Sequence, residues 1–194
     1  VAMTFVMTDL ENIKPGFNSC FIVRYLLEKA YNAKTAISLL MELPIASNCN
    51  ILIADKSGEM AVAECTPLKK RIREPIRVGS DRIVCTVNSF TSDEMKPYSV
   101  VDVEDYDSGE RYKVVTKSFS TYIKEDFIEA TKRLLRGEYG FMCQYDEDPD
   151  FETVWSSVFD LKKLMIYRAE GDPRKKKFIT DNRLHHLIRR TDIP

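Results

Sequence analysis

The sequence predicts an α+β fold, in which antiparallel sheets alternate with pairs of helices along the chain. Apolar residues recur at spacings of three and four in two separate regions, which indicates amphipathic helices, and short β-rich runs follow each region. The connections between those runs are short and rich in turn-forming residues, which favours antiparallel pairing. The chain has 194 residues, 44% of them hydrophobic, and this suits a single domain spanning residues 1–194.

The first half of the chain predicts one strand, two helices and three further strands. VAMTFVM predicts the first strand, and the turn KPGFNS ends it. Asn18 or Ser19 can cap a helix over CFIVRYLLEKA, and Pro44 ends a second helix over NAKTAISLLMEL. NILIAD, EMAVAEC and DRIVCTVN predict antiparallel neighbouring strands, the first two joined by a turn at 55–58. The residues expected to face the core from the two helices are Phe21, Ile22, Tyr25, Leu26, Leu27, Ile37, Leu40 and Met41.

The second half predicts two more helices and a hairpin. SGERYKVVTKSFSTYI and KEDFIEATKRLLRG have helical spacing, and Gly137 suits the C-terminal cap of the second helix. TVWSSVFDLKKLMIYRAE predicts a hairpin that turns near Asp160 and Leu161. Trp155 and Phe159 of its first strand are expected to reach the core.

Composition and charge exclude several kinds of partner. With 29 basic and 30 acidic side chains, the chain lacks the excess of cations that nucleic-acid binding requires. No apolar run approaches the roughly 20 residues that span a bilayer, and VAMTFVMTDL lacks the features of a signal peptide, so we expect no membrane partner. The five cysteines are odd in number and without C-x-x-C spacing, which indicates reduced thiols in a cytoplasmic protein rather than disulfides or zinc ligands.

Several common catalytic and cofactor motifs do not occur in the sequence. It contains no P-loop, no G-x-G-x-x-G, no G-x-S-x-G and no H-E-x-x-H, so neither a cofactor nor a metal is predicted. His185 and His186 are adjacent near the end, and neighbours in sequence point apart, which makes a poor pair of metal ligands. A Ser-His or Cys-His catalyst would have to recruit one of these two histidines.

The order of several motifs resembles the superfamily of choloylglycine hydrolases and acyl-coenzyme A:6-aminopenicillanic acid acyltransferases. The motifs lie in the stretch from PGFNSC to AECTP, in CTVNSF, in SGERY at 108–112 and in TVWSSVFD at 153–160. YRAEGDP, near the end, is closer to the acyltransferase branch than to the bile-salt branch. The resemblance extends roughly from Val1 to Phe178.

The resemblance implies a linear-amide hydrolase or acyltransferase with the αββα sandwich of N-terminal-nucleophile enzymes. In that superfamily an N-terminal Cys attacks the amide carbonyl, and its own α-amine, which titrates near pH 8, serves as the base. Residue 1 is Val here, so we expect the nucleophile to lie upstream and the sandwich to be incomplete at its N-terminus. A homo-oligomer or the missing N-terminal segment would then cover the open sheet edge.

Two positions match catalytic residues of the superfamily. Asn88, in the order Thr86-Val87-Asn88 where the superfamily has T-N, matches an Asn whose amide can donate to a developing oxyanion. Arg111 matches an Arg that lies near the nucleophile and positions or polarises it. The structural alternatives are a turn-capping Asn and a surface Arg paired with a carboxylate. Cys85 is close in sequence, but it lacks a free amine or a nearby His to activate it.

Three classes of function therefore stay open. The first is an amide hydrolase or acyltransferase acting on a small-molecule amide or acyl donor. The second is a noncatalytic remnant or partner subunit that folds but lacks a nucleophile. The third is a module of the same fold that binds a small molecule without transforming it.

Overall fold

The computed structural model describes residues 1–78, 81–100, 107–121, 126–143 and 152–183. The chain divides into two compact units, Val1–Ser120 and Thr121–Pro194. Helices and antiparallel strands occur in both, which confirms the α+β class. The prediction that residues 1–194 form one domain stays a prediction. Among the described residues, no helix combines the length and the apolar character needed to cross a bilayer.

A four-stranded antiparallel sheet, here called sheet A, organises the first unit. Its strands, in spatial order, are β1 (Ala2–Phe5), β2 (Cys49–Ala54), β3 (Met60–Cys65) and β4 (Lys70–Arg73). The predicted hairpin between β2 and β3 is confirmed, with Ala54 opposite Met60 at its closed end. The Asp55 carboxylate accepts the Ser57 N–H at 2.8 Å, and Gly58 adopts φ +89°, which suits glycine in such a turn.

Two helices cover one face of sheet A. Helix α1 (Ser19–Lys29) packs against β1 and β2, and α2 (Ala33–Glu42) packs against β2 and β3. Asn18 caps α1 by accepting the Phe21 N–H at 3.1 Å, as one of the two predicted caps. Period-two alternation brings every second strand residue to this face, so the core consists of helix and strand residues together. Its buried members are Ile22, Leu26, Ala33, Ala36, Leu40, Ile45, Cys49, Ile51, Ile53, Ala63 and Cys65.

The buried stripe of the two helices is narrower than predicted. Leu26 and Leu40 are fully buried, whereas Phe21, Leu27 and Met41 are 65%, 60% and 45% exposed. Each of these three residues is next in sequence to a fully buried one, and a single residue step turns the helix by about 100°. The prediction that they face the core is therefore wrong.

The predicted strand over 81–88 is also wrong in extent and in partner. Only Asp81–Ile83 forms a strand, β6, and it pairs with β5 (Ile76–Val78) in a separate two-stranded sheet. It does not join sheet A, and from Val84 the backbone is irregular. Helix α3 (Ser108–Thr121) comes later in the chain, where helical spacing predicted it.

In the second unit, the described residues include a helix and a three-stranded antiparallel sheet. These elements are α4 (Phe127–Leu135), β7 (Trp155–Asp160), β8 (Met165–Glu170) and β9 (Ile179–Thr180). The predicted hairpin is confirmed, with Asp160 opposite Met165, and Gly137 follows α4 with φ +77°. The expectation that Trp155 and Phe159 reach the core is wrong, because they are 50% and 58% exposed.

The alternation of β7 explains those exposed aromatic side chains. Ser156 and Val158 are the buried residues of the strand, so Trp155 and Phe159 lie on its other face. The Trp155 ring instead lies under the guanidinium of Arg168, 4.4 Å from the ring centroid, on the neighbouring strand.

Adjacent leucines of α1 allow a direct test of the core. We expect Leu26→Ala to lower the free energy of unfolding by about 2–5 kcal/mol, because it leaves a cavity between α1 and sheet A. Leu27→Ala makes the same change in helix propensity at an exposed position, and should stay within about 0.5 kcal/mol of the parent. Urea denaturation of both variants measures the difference. Equal losses would contradict the packing of α1.

Candidate functional site

The structure brings the two predicted site residues into contact. Asn88 lies in an irregular stretch, residues 84–92, here called the Asn88 segment, and Arg111 lies in the first turn of α3. Arg111 Nη2 donates to Asn88 Oδ1 at 3.0 Å and is 3.4 Å from Ser108 Oγ. The Asn88 N–H donates to the same Ser108 oxygen at 3.0 Å. The start of α3 therefore holds both the backbone and the side chain of Asn88.

Two neighbours determine which way the Asn88 amide points. A guanidinium can only donate, so Arg111 must face the oxygen of the amide. The carbonyl of Phe5, at the end of β1, can only accept, and it takes a hydrogen from Asn88 Nδ2 at 2.9 Å. An amide nitrogen carries two hydrogens, and the second has no partner among the residues that the structure describes. Asn88 is only part-buried, which makes this N–H a candidate donor to a ligand.

Side chains of sheet A hold the middle of the Asn88 segment in place of strand pairing. Thr4 Oγ1 donates to the Val87 carbonyl at 2.7 Å. Asn50 Nδ2 donates to the same carbonyl at 2.8 Å and to the Ser89 carbonyl at 3.1 Å. Since buried backbone groups need partners, these contacts replace the ladder that a strand would have provided. They explain why residues 84–88 are not part of a strand.

The buried carboxylate of Glu64 holds the far end of the Asn88 segment. Its Oε1 accepts the backbone N–H and the hydroxyl of Thr91, both at 2.8 Å. Its Oε2 accepts the hydroxyl of Ser92, and both oxygens are 3.3 Å from the Ser92 N–H. Arg73 Nε donates to Oε1 at 2.9 Å, and Arg73 Nη2 donates to the Cys85 carbonyl at 2.6 Å.

These polar side chains share one face of sheet A. Thr4 is opposite Asn50, Asn50 is opposite Glu64, and Arg73 is opposite Val62, two residues before Glu64 on the same strand. Because the pleat alternates, they lie on the face away from α1 and α2. Each of the four strands thus contributes one polar side chain to the Asn88 segment. The sequence contained a signal for two of them, since Asn50 and Glu64 interrupt otherwise apolar runs.

The environment of Glu64 keeps it ionised although it is fully buried. Burial alone would raise the pKa of Glu64. Hydrogen bonds from Ser92 and Thr91, together with the charge of Arg73, outweigh burial and hold the pKa below its ordinary value. The carboxylate is therefore charged at neutral pH.

The described cysteines near the core are poorly suited to nucleophilic catalysis. Burial raises the pKa of the Cys85 thiol to about 11, although the charges of Arg73 and Arg111 act in the opposite direction. The cavity beside Cys85 is about 10 Å³, room for no more than a water molecule. Cys49 and Cys65 face each other across β2 and β3. A hydrogen bond with Cys49 and, to a smaller extent, burial raise the pKa of Cys65 well above its ordinary value.

No group of three or more His, Cys, Asp or Glu side chains in the described part of the chain could hold a metal ion. His185 and His186 lie outside the described residues. A surface depression of about 410 Å³ lies between the end of α2 and the turn before β4. Asn88 and Arg111 are not among the residues that line it.

The fold and the site together define a class of protein: an α+β protein with antiparallel sheets in which an Arg-oriented amide is presented beside the first strand. The family model described as acyl-coenzyme A:6-aminopenicillanic acid acyl-transferase matches residues 1–175. The chain belongs to this family, which confirms the resemblance found in its motifs. A search of the curated proteins found no match.

The lowered pKa of Glu64 predicts how stability depends on pH. A carboxylate with a lower pKa in the folded than in the unfolded state stabilises the fold fully above its ordinary pKa of 4.5, and this contribution is lost as the pH falls through the folded value. The difference in unfolding free energy between the parent and Glu64→Gln should therefore be largest near neutral pH and shrink below pH 4.5. Denaturant titrations from pH 3 to 7 measure it.

The matched control for that titration is Glu94→Gln. Glu94 is about half exposed and lies 3.6 Å from Lys69 and Arg71, so its ion pairs are screened by solvent. The unfolding free energy of Glu94→Gln should therefore differ little from that of the parent at every pH. A pH profile for Glu64→Gln that is parallel to that of the parent would show that folding does not lower the pKa of Glu64.

Proposed function

We propose that this protein takes part in acyl transfer from a linear amide or acyl donor of small size, either to a second amine or to water. Membership of the acyltransferase family supports this chemistry at the level of the reaction class. The observation that carries the proposal is the Asn88 amide, which is held by Arg111 and Phe5 with one N–H left for a ligand. The near balance of basic and acidic side chains supports a small molecule rather than nucleic acid as the partner.

Asn88 has the role of an oxyanion donor in this proposal. Attack on an amide carbonyl makes a tetrahedral intermediate with a negative oxygen, and a preorganised N–H aimed at that oxygen stabilises it more than the ground state. The donor is preorganised because the hydrogen bonds with Arg111 and with the Phe5 carbonyl each form in only one orientation of the amide. Arg111 also places a permanent positive charge within hydrogen-bond distance of Asn88, which favours the developing anion.

The proposed nucleophile is an N-terminal Cys thiol whose own α-amine is the base, as in the superfamily. None of the cysteines in this sequence fills that role in the proposal. Burial keeps Cys49 and Cys65 away from substrate, and the raised pKa values of Cys65 and Cys85 keep these two thiols protonated. All three are therefore assigned to packing.

The proposal extends to the architecture and the location of the protein. Helices α1 and α2 on one face of sheet A provide the outer helical layer and one sheet layer of an αββα sandwich. The family match supports assigning the whole sandwich. Free thiols at all five cysteines support a reducing, cytoplasmic compartment.

Amine release by the protein expressed from its complete reading frame tests the proposed function. The substrates are a panel of N-acyl amino acids, penicillins and conjugated bile salts, each with and without a second amine as acceptor. Release of amine with formation of a new amide shows acyl transfer, and release with free acid shows hydrolysis. Binding without turnover across the panel would favour a small-molecule binding module instead.

We expect the 194-residue chain by itself to release amine no faster than buffer, because Cys49 is fully buried and the raised pKa values of Cys65 and Cys85 keep their thiols protonated. Replacing Cys85 with Ser or Ala should leave that background unchanged. The measurement is the same amine assay at high protein concentration. Turnover that Cys85→Ala abolishes would overturn the assignment of Cys85 to packing.

In the active protein, Asn88→Ala should lower kcat by about 10²–10³, the usual cost of one lost oxyanion donor. Arg111→Ala should lower kcat as well, because the amide loses the partner that orients it. Asn12→Ala and Arg24→Ala are matched controls at exposed positions, and should leave kcat unchanged. Thermal melts of all four variants separate catalysis from folding. Parent-like kcat in Asn88→Ala would remove Asn88 from the site.

A further inference from the structure

One buried carboxylate reaches both ends of the segment that carries Asn88. After Asn88 in the chain, the Glu64 carboxylate accepts hydrogen bonds from the N–H and the hydroxyl of Thr91, which lies three residues further on. It also accepts the hydroxyl of Ser92. On the preceding side of Asn88, Glu64 holds Arg73, whose other nitrogen donates to the carbonyl of Cys85, three residues before Asn88. Asn88 therefore lies midway between Thr91, which Glu64 holds directly, and Cys85, which Glu64 reaches through its ion-pair partner Arg73.

The contacts of Glu64 differ in kind from those that hold the middle of the Asn88 segment. Thr4 and Asn50 bind the carbonyls of Val87 and Ser89, which fixes the height of the backbone above sheet A. The start of α3 and the Phe5 carbonyl hold Asn88 itself, whereas the residues three before and three after it are held by Arg73 and by Glu64. Because Arg73 is the ion-pair partner of Glu64, both of these flanking contacts involve the same carboxylate.

The five groups that converge on Glu64 are all donors: two N–H groups, two hydroxyls and one guanidinium. A carboxylate can accept all of them. A glutamine has the same shape, but its amide nitrogen would take the place either of Oε1, where Arg73 and Thr91 donate, or of Oε2, where the Ser92 hydroxyl donates. Hydrogens would then face hydrogens at Arg73 and Thr91 or at Ser92, so contacts to the Asn88 segment would be lost whichever way the amide turned.

We propose that Glu64 is a positioning residue for Asn88, acting through Arg73 at one end of the Asn88 segment and through Thr91 and Ser92 at the other. Its significance for acyl transfer rests on the proposed function. Glu64 touches neither Asn88 nor a reacting atom in this assignment, and its effect is on the direction of the free Asn88 N–H.

The side-chain NH₂ resonances of Asn88 report that direction in the 194-residue chain. A ¹⁵N–¹H spectrum of the labelled protein contains the pair, and its absence from Asn88→Ala identifies it. We expect both resonances to move in Glu64→Gln, and the hydrogen bound to Phe5 to exchange faster with solvent. A role confined to stability would lower the melting temperature and move Thr91 and Ser92 but leave the Asn88 pair in place.

Two variants that cut a single end keep the test independent of whether Glu64→Gln folds. Arg73→Lys keeps a positive charge beside Glu64 but loses the fork that also reaches Cys85. Thr91→Val removes one hydroxyl contact and keeps the shape of the side chain. Each should move the Asn88 pair in the direction seen in Glu64→Gln.

The neighbouring ion pair of β4 supplies matched controls. Arg71 lies two residues before Arg73 on the same strand and is 3.6 Å from Glu94, and both side chains are about half exposed. Arg71→Lys and Glu94→Gln make the same chemical changes at residues outside the Asn88 segment. The proposal is overturned if the Asn88 resonances shift no more in Arg73→Lys and Thr91→Val than they do in these controls.

The spectrum needs no turnover, so its result is separable from the fate of the proposed function. Absence of acyl transfer in the amine assay would refute that function. Shifts of the Asn88 resonances in the variants of Glu64, Arg73 and Thr91 would still support the positioning role of Glu64. Unmoved Asn88 resonances in a protein that does transfer acyl groups would refute the positioning role alone.

Discussion

The first unit depends on the ion pair and hydrogen bonds that the Glu64 carboxylate makes on the polar face of sheet A. A charge without solvent is strongly unfavourable unless partners replace its water. Here Arg73, Thr91 and Ser92 replace it, and the carboxylate stays ionised. Those partners come from β4 and from the Asn88 segment, so satisfying one charge also brings separate parts of the chain together.

Sheet A consequently has two faces with different tasks. On one face, apolar side chains of β2 and β3 pack against Leu26 and Leu40, and this burial contributes most of the stabilisation. On the other face, polar side chains hold an irregular segment by hydrogen bonds, which add little net stability but strongly favour one geometry. The apolar face offsets the conformational entropy of ordering the polar one.

The site follows from the same logic of donors and acceptors. The side-chain oxygen of Asn88 accepts a hydrogen bond from the Arg111 guanidinium, and its amide nitrogen donates to the Phe5 carbonyl. A flipped amide would lose both hydrogen bonds. A segment held in this way presents a polar group more rigidly than a surface loop, which suits stabilisation of a charge that develops during reaction. Burial raises the pKa of the neighbouring Cys85 thiol to about 11, which keeps that thiol protonated at neutral pH.

Local patterns in the sequence determined α1, α2 and the two hairpins, because periodicity, caps and turn residues act over a few positions. Motif order singled out Asn88 and Arg111, and the polar Asn50 and Glu64 were visible inside apolar runs. Only the tertiary structure decided that residues 84–88 leave the strand and that Arg111 meets Asn88. It also decided that Trp155 and Leu27 face outward. These outcomes depend on which face of an element finds a partner, and that partner lies far away in sequence.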